Sequence, residues 1–304
     1  MGRVAILGVF NADTTYRAAR QPEMGETILG ERFTLGPGGK GSNQAVGAAR
    51  AGARARMLTL IGRDTFGDMA RDVWAEAGVD FAGHAVDGAT GAAMIFVDAR
   101  SGDNAIIVCP GAAGAMTPEH VRGWAGRIAE ADVFLAQLEQ PLDAALEGLR
   151  IARAAGVTTI LNPAPAAELP RGMLALADYV TPNESEAALL TGLPVEGRDG
   201  AEAAGRRIME AGAGSVVLTR GGAGAMLCTA RGISHFPALS VGEVAETTGA
   251  GDAFNGAFAA ALSEGAAPEN AVEFAIAAAG ISVTRAGAAA AMPTRDEIEA
   301  ALRP

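Results

Sequence analysis

The chain has 304 residues, 49% of them apolar, and no Pro/Ser-rich linker divides it, which suits a single α/β domain over 1–304 with a sizeable core. A formal net charge of -11 excludes a general basic surface for nucleic acid or an anionic membrane, so any phosphate must be held locally. The longest uncharged apolar stretches, around 253–263 and 274–284, fall short of a membrane span and are interrupted by Asn255, Gly256, Gly280 and Ser282.

The apolar run 4–9 follows an arginine but is short and lacks a convincing cleavage site, so it reads as a first strand and the chain as cytoplasmic. It leads into Asn11-Ala12-Asp13. Residues 25–35 break the pattern and look like a hairpin. The glycine cluster Gly36-Pro37-Gly38-Gly39-Lys40-Gly41-Ser42-Asn43-Gln44 then precedes a helical pattern, Ala45, Ala48 and Ala49, that stops near Gly52. It imitates a Walker A loop, but Gly41 separates Lys40 from Ser42 and the upstream glycine is misplaced.

Further strands are expected at 55–61, 133–136, 157–161, 178–180 and 215–219, and helices at 42–51, 66–77, 118–129, 142–155, 183–190 and 201–211. Such alternation implies a parallel sheet covered on both faces. A second hairpin is expected in 92–109, where 93–97 and 105–108 flank Ser101-Gly102-Asp103-Asn104. Strands set apart in this way, within about 11–36 and 86–109, could form a lid. The last third is alanine-rich and helical. His84, His120 and His235 are scattered and signal no metal centre, while Cys109 and Cys228 sit in strand-like runs and read as buried structural thiols.

The run Glu246-Thr247-Thr248-Gly249-Ala250-Gly251-Asp252-Ala253-Phe254-Asn255-Gly256 is the most informative stretch. Phe254, Ala257, Phe258, Ala261 and Leu262 recur at helical spacing, so Gly249–Gly251 lie at the helix's start, where unpaired N–H groups attract an anion. Asp252 would repel a phosphate unless it takes a proton from a hydroxyl that attacks it. A merely stabilising helix start reads equally well from this run alone; the second glycine loop decides for two ligand halves. Polar groups also follow other strands: Gln137-Leu138-Glu139, and Thr181-Pro182-Asn183-Glu184-Ser185-Glu186. Asp13 and Glu139 can accept hydrogen bonds from adjacent hydroxyls, or be a turn residue and a surface acid; Asn183 and Glu186 can be a capping box, a ligand site, or both.

These ordered motifs, with Leu161-Asn162-Pro163-Ala164-Pro165, resemble the ribokinase family within the ribokinase and phosphofructokinase-B superfamily over nearly the whole chain. The resemblance implies a three-layer α/β/α fold with a small β lid that also joins two chains in a homodimer, and ATP-dependent phosphorylation of the 5-hydroxyl of D-ribose. It implies Asp252 as base with Gly249, Ala250 and Gly251 as anion hole, and Asn11, Asp13, Gly39, Lys40, Gly41, Asn43 and Glu139 as sugar ligands. It implies Asn183 and Glu186 near the phosphates and Mg2+, Thr219, Gly221, Gly222 and Gly224 in the nucleotide loop, and Ile276 beside adenine. A K+ site would involve Glu246, Thr248, Ser282, Arg285, Gly287 and Ala291. Two of these depart from the family, Glu246 standing for an aspartate and Ala291 for a serine. Val9-Phe10 replace a serine and a smaller aliphatic residue, which opens a second reading, a kinase of another sugar, sugar acid or nucleoside. A non-catalytic nucleotide- or sugar-binding protein is the third.

Overall fold

The computed structural model describes residues 1–303. Its strands are β1 (Arg3–Leu7), β2 (Asn11–Ala18), β3 (Arg32–Gly38), β4 (Arg54–Leu58), β5 (Leu60–Gly62), β6 (Asp80–Phe81), β7 (His84–Val86), β8 (Gly91–Asp98), β9 (Asn104–Cys109), β10 (Val133–Ala136), β11 (Thr158–Leu161), β12 (Tyr179–Val180), β13 (Ser215–Thr219), β14 (Ala225–Thr229) and β15 (Gly232–Phe236). Nine of them form one sheet in the order β15-β14-β13-β12-β11-β10-β1-β4-β6. It is parallel from β13 to β6, and β14 and β15 continue it antiparallel.

Side-chain alternation explains the uninterrupted apolar character of β1. Val4 and Ile6 enter one core while Ala5 and Leu7 enter another on the opposite face. Helices Lys40–Arg50, Thr65–Ala77, Ala250–Ser263, Pro268–Ser282 and Arg295–Ala301 bury their apolar residues in the first core. Leu142–Ala154, Glu184–Thr191 and Gly197–Glu210 cover the second. This is the expected three-layer α/β/α architecture with a mostly parallel sheet.

A separate four-stranded sheet has the order β3-β2-β8-β9. The hairpin expected at 25–35 is wider than that: β2 is itself a strand, antiparallel to β3, with no strand in the residues between them. β2 also pairs in parallel with β8. The polar, β-branched stretch Asp13-Thr14-Thr15-Tyr16 suits a sheet whose faces are not both in a core, which is why no apolar run marked it.

The strand expected at 55–61 divides after Leu58, and β5 joins β7 in a two-stranded sheet. Residues following β6 cause the division, since Ala82 N donates to Met57 O and His84 N donates to Thr59 O, drawing the chain out of the main sheet. The helix expected at 118–129 is two short helices, Pro118–Gly123 and Ala125–Ala129, meeting at Trp124. Trp124 is buried and stacked on His84 with ring centroids 5.5 Å apart, which holds the break. Cys228 is buried as expected but Cys109 is exposed, because β9 is an edge strand of the small sheet with every residue exposed.

Candidate active site

The carboxyl ends of β1, β10, β11, β12 and β13 converge on one side of the sheet, and the residues that follow them supply the site. Neighbours β4 and β10 lie on opposite sides of β1, so the chain's winding reverses there and leaves a crevice. Gly8 to Asn11, Gln137 to Glu139, Asn162 and Thr181 to Asn183 all follow strands at this edge.

Glycines let the helix Lys40–Arg50 begin inside that crevice. Gly39 has φ +87°, which a side chain would strain, and a Cβ at Gly41 would lie 2.6 Å from Gly8 Cα and 2.8 Å from Val9 N. The N–H of Lys40 donates to Glu139 Oε2 at 2.7 Å. Register places Asn11 opposite Gly38 and Asp13 opposite Gly36. Asn11, Asp13, Lys40, Asn43 and Glu139 therefore gather at the base of the small sheet. Burial pushes the Asp13 carboxyl up to about 6. Burial also pushes Glu139 up to about 7, against the Lys40 N–H bond and ammonium and helped by Asp252 and Asp13. Buried Asn11 Oδ1 and Asn43 Oδ1 accept no hydrogen bond among the described residues. Such acceptors beside two carboxylates suit a ligand rich in hydroxyls.

Helix Ala250–Ser263 begins at Gly249, φ +79°, and carries Asp252 in its first turn. It crosses the Lys40–Arg50 helix so closely that a Cβ at Gly256 would lie 2.7 Å from Ala48 N and from Gln44 O. The crossing puts Asp252, 6% exposed, between two amides: Asn43 Nδ2 donates to Oδ2 at 3.0 Å and Gln44 Nε2 to Oδ1 at 2.9 Å. Burial raises the Asp252 pKa, while Lys40, Asn43 and Gln44 act in the opposite direction.

Asp252 lines a cavity of about 220 Å³ together with Lys40, Asn162, Asn183, Glu186 and Gly251. Asn183 and Glu186 are a capping box: Asn183 Oδ1 accepts from Glu186 N at 2.8 Å and Glu186 Oε2 accepts from Asn183 N at 2.8 Å. The cap thus also presents a carboxylate to the cavity. Burial raises the Glu186 pKa, chiefly against the Asn183 N–H.

Asn183, Thr219, Thr247 and Gly251 are shared with an adjoining cleft of about 660 Å³. Gly221, Gly222, Gly224, Ala250 and Ile276 line it, as do Leu239, Val241, Val244 and Val283, which no motif had marked. Their apolar wall suits a flat heterocycle, with the small cavity at its end suiting phosphate.

The six residues expected at a cation site lie near one another but differ in what they offer. Glu246 Oε2 accepts from Gly287 N at 2.8 Å, joining the two loops. Arg285 turns its guanidinium to Glu297, Nη2 to Oε1 at 2.6 Å, so only its backbone could serve. The Ser282 hydroxyl donates to Ala279 O, Thr248 is exposed and Ala291 is buried. Phe10 does not enter the sugar region: it is 1% exposed and packs edge-on against Trp74 in the core, with centroids 5.9 Å apart.

The family model for pfkB carbohydrate kinases matches residues 1–295. The chain is similar to the ribokinase of Haemophilus influenzae, 38% identical over 97% of this chain and 96% of that one. It is also similar to the deoxyribokinase of Salmonella typhi, 33% identical over 97% and 96%. Among solved structures, Arabidopsis thaliana ribokinase complexed with ribose and ATP superposes with a TM-score of 0.95, at 29% identity and 99% coverage of both chains. With a whole-length motif order, a three-layer fold and a matching family model, the chain belongs to the pfkB family of carbohydrate kinases.

Proposed function

We propose that this protein is an ATP-dependent ribokinase, transferring the γ-phosphoryl group to the 5-hydroxyl of D-ribose. The observation that carries the reading is the buried Asp252 carboxylate, held between two amides at the junction of a hydroxyl-binding region and a cleft suited to a nucleotide. The similarity to a ribokinase that binds ribose and ATP supports the choice of substrates. In the transfer, the sugar hydroxyl gives its proton to Asp252, its oxygen bonds to the γ-phosphorus, and the bond to the bridging oxygen breaks with its electron pair leaving on ADP. N–H groups of Gly249, Ala250 and Gly251 oppose the charge on the transferring group. Lys40 lines the same cavity and supplies a positive charge there.

Mg2+ bound to the phosphates would lower the charge barrier to attack. A buried carboxylate beside a phosphate-sized cavity fits such an ion through its water shell, and Glu186 with Asn183 would hold it. K+ would be held by backbone carbonyls of the 246–248 and 285–287 loops, which the Glu246–Gly287 bond joins. A need for ATP supports the reading of a cytoplasmic protein.

The small sheet has two faces with two proposed tasks. Asn11 and Asp13 project from one, over the sugar, as a lid. Thr14, Leu35, Met94 and Ile107 are direct neighbours across four strands on the other, next to the pair Tyr16 and Phe33. Leu35, Met94, Ile107, Tyr16 and Phe33 are all exposed, and a second copy covering them would give a homodimer.

Coupled ATP consumption with ribose, deoxyribose, fructose, ketodeoxygluconate and adenosine, each with Na+ or K+, tests the reading. Preference for ribose is expected; preference for another compound would overturn the substrate. The similarity to a deoxyribokinase makes deoxyribose the competing substrate. Phe10, being in the core, no longer argues for any alternative.

A further inference from the structure

Asp252 is served by two amides that differ in what else they do. Asn43 has its own carbonyl oxygen unpartnered, whereas Gln44 has every polar atom engaged. Gln44 Nε2 donates to Asp252 Oδ1 at 2.9 Å and to Asn162 Oδ1 at 3.0 Å, and its Oε1 accepts from Gln137 Nε2 at 2.5 Å. Asn162 is fixed in turn, since its Nδ2 donates to Thr181 O at 3.0 Å. Gln137 is backed by Gln140, whose Nε2 donates to Gln137 O at 2.7 Å. Gln44, Gln137 and Gln140 are all buried.

The polarity of this chain is forced. Turning the Gln44 amide over would set its oxygen against the Asp252 carboxylate and the Asn162 carbonyl, and its NH2 against the Gln137 NH2. The contacts with Asp252 and with Asn162, whose amide Thr181 O fixes, would be repulsive, and these two force the polarity; the Gln137 amide, its own Oε1 unpartnered, follows Gln44. A donor is therefore fixed on the inner side of Asp252.

We propose that Gln44 is a positioning residue for phosphoryl transfer: its amide, locked by Gln137 and Asn162, anchors Oδ1 of Asp252 and so orients the carboxylate for the attacking hydroxyl. The inference rests on the kinase reading above and goes beyond it, because Gln44 is fully buried and lines neither the small cavity nor the adjoining cleft. Without the fixed N–H, the carboxylate would be poorly aimed and its charged form less favoured, so the base would hold its proton to higher pH.

Gln44→Met keeps the length and removes the donor. We expect kcat with ribose to fall about 10- to 100-fold and the acidic limb of its pH profile to move up by about one unit, with KM for ATP unchanged. In an Asp252→Asn background the same substitution should change the residual turnover less than twofold, since Gln44 acts through the carboxylate. Unequal profiles in wild type and variant support the inference; superimposable profiles, or an equal loss in both backgrounds, overturn it. If Gln44→Met does not fold, Gln137→Met takes its place. Freed from its lock, Gln44 should then lose part of its hold, giving a shift in the same direction but smaller; no shift would overturn the proposal. Failure of the wild type to phosphorylate any sugar would instead overturn the kinase reading.

Discussion

Asp252→Asn is nearly isosteric and leaves an amide that cannot take the hydroxyl proton; with its oxygen kept toward Gln44, its NH2 faces Asn43, whose unpartnered Oδ1 can turn to accept it. Turnover should fall roughly 100- to 10,000-fold, while sugar affinity measured by calorimetry stays within a few fold; unchanged turnover would remove Asp252 from the chemistry. Glu139 offers a pH test. Burial raises its carboxyl from 4.5 to about 7 in the folded protein. Below the ordinary value both folded and unfolded forms are protonated and nothing is lost. From 4.5 upward the unfolded form ionises while the folded form keeps its proton, so stability falls until the folded carboxyl also ionises near 7, above which the loss is complete. Glu139→Gln should therefore gain in Tm relative to wild type between pH 4.5 and 8, and melting curves at both ends check it. The glycine run marked Asp252, and the residues after the strands marked Asp13 and Glu139, because both are local patterns. The partners of Gln44 were illegible, since they lie 93, 118 and 208 residues away and only the fold joins them. Cys109 misled for the opposite reason: an apolar neighbourhood in sequence became an exposed edge in space.

Two helices carry the site, and their spacing is set by glycine. Gly256→Ala should improve intrinsic helix propensity by about 1 kcal/mol, yet a methyl group 2.7 Å from two backbone atoms must push the helices apart. We expect net destabilisation of about 1–2 kcal/mol and a larger proportional loss of kcat than of ATP affinity, since Asp252 moves relative to Asn43 and Gln44. A stabilised, fully active variant would contradict this account of the crossing. The helices at 42–51 and 142–155 were close to correct because their apolar spacing faces one core. The break at Trp124 was not legible, being held by a stack on a residue 40 positions away. Likewise the division of 55–61 depends on residues 82–84, which no local pattern in that run contains.

The layered architecture was readable because alternation of strand and helix fixes a parallel sheet and its covered faces. The second sheet was only half readable, since its polar face resembles loop sequence. Its two faces make separate predictions. Closure over the sugar should exclude water, so ATP hydrolysis without sugar should be at least tenfold slower than transfer with it; equal rates would refute the lid. Charging the opposite face with Phe33→Glu should convert a dimer to a monomer in sedimentation without unfolding it, and an unchanged sedimentation coefficient would show that this face is not the contact. The central claim is chemical. Phosphorus NMR of the purified protein with ribose, Mg·ATP and K+ tests it most directly: ADP should form together with a phosphomonoester coupled to the two protons of a CH2 group, whereas inorganic phosphate alone, or unaltered ATP, would contradict transfer to the 5-hydroxyl.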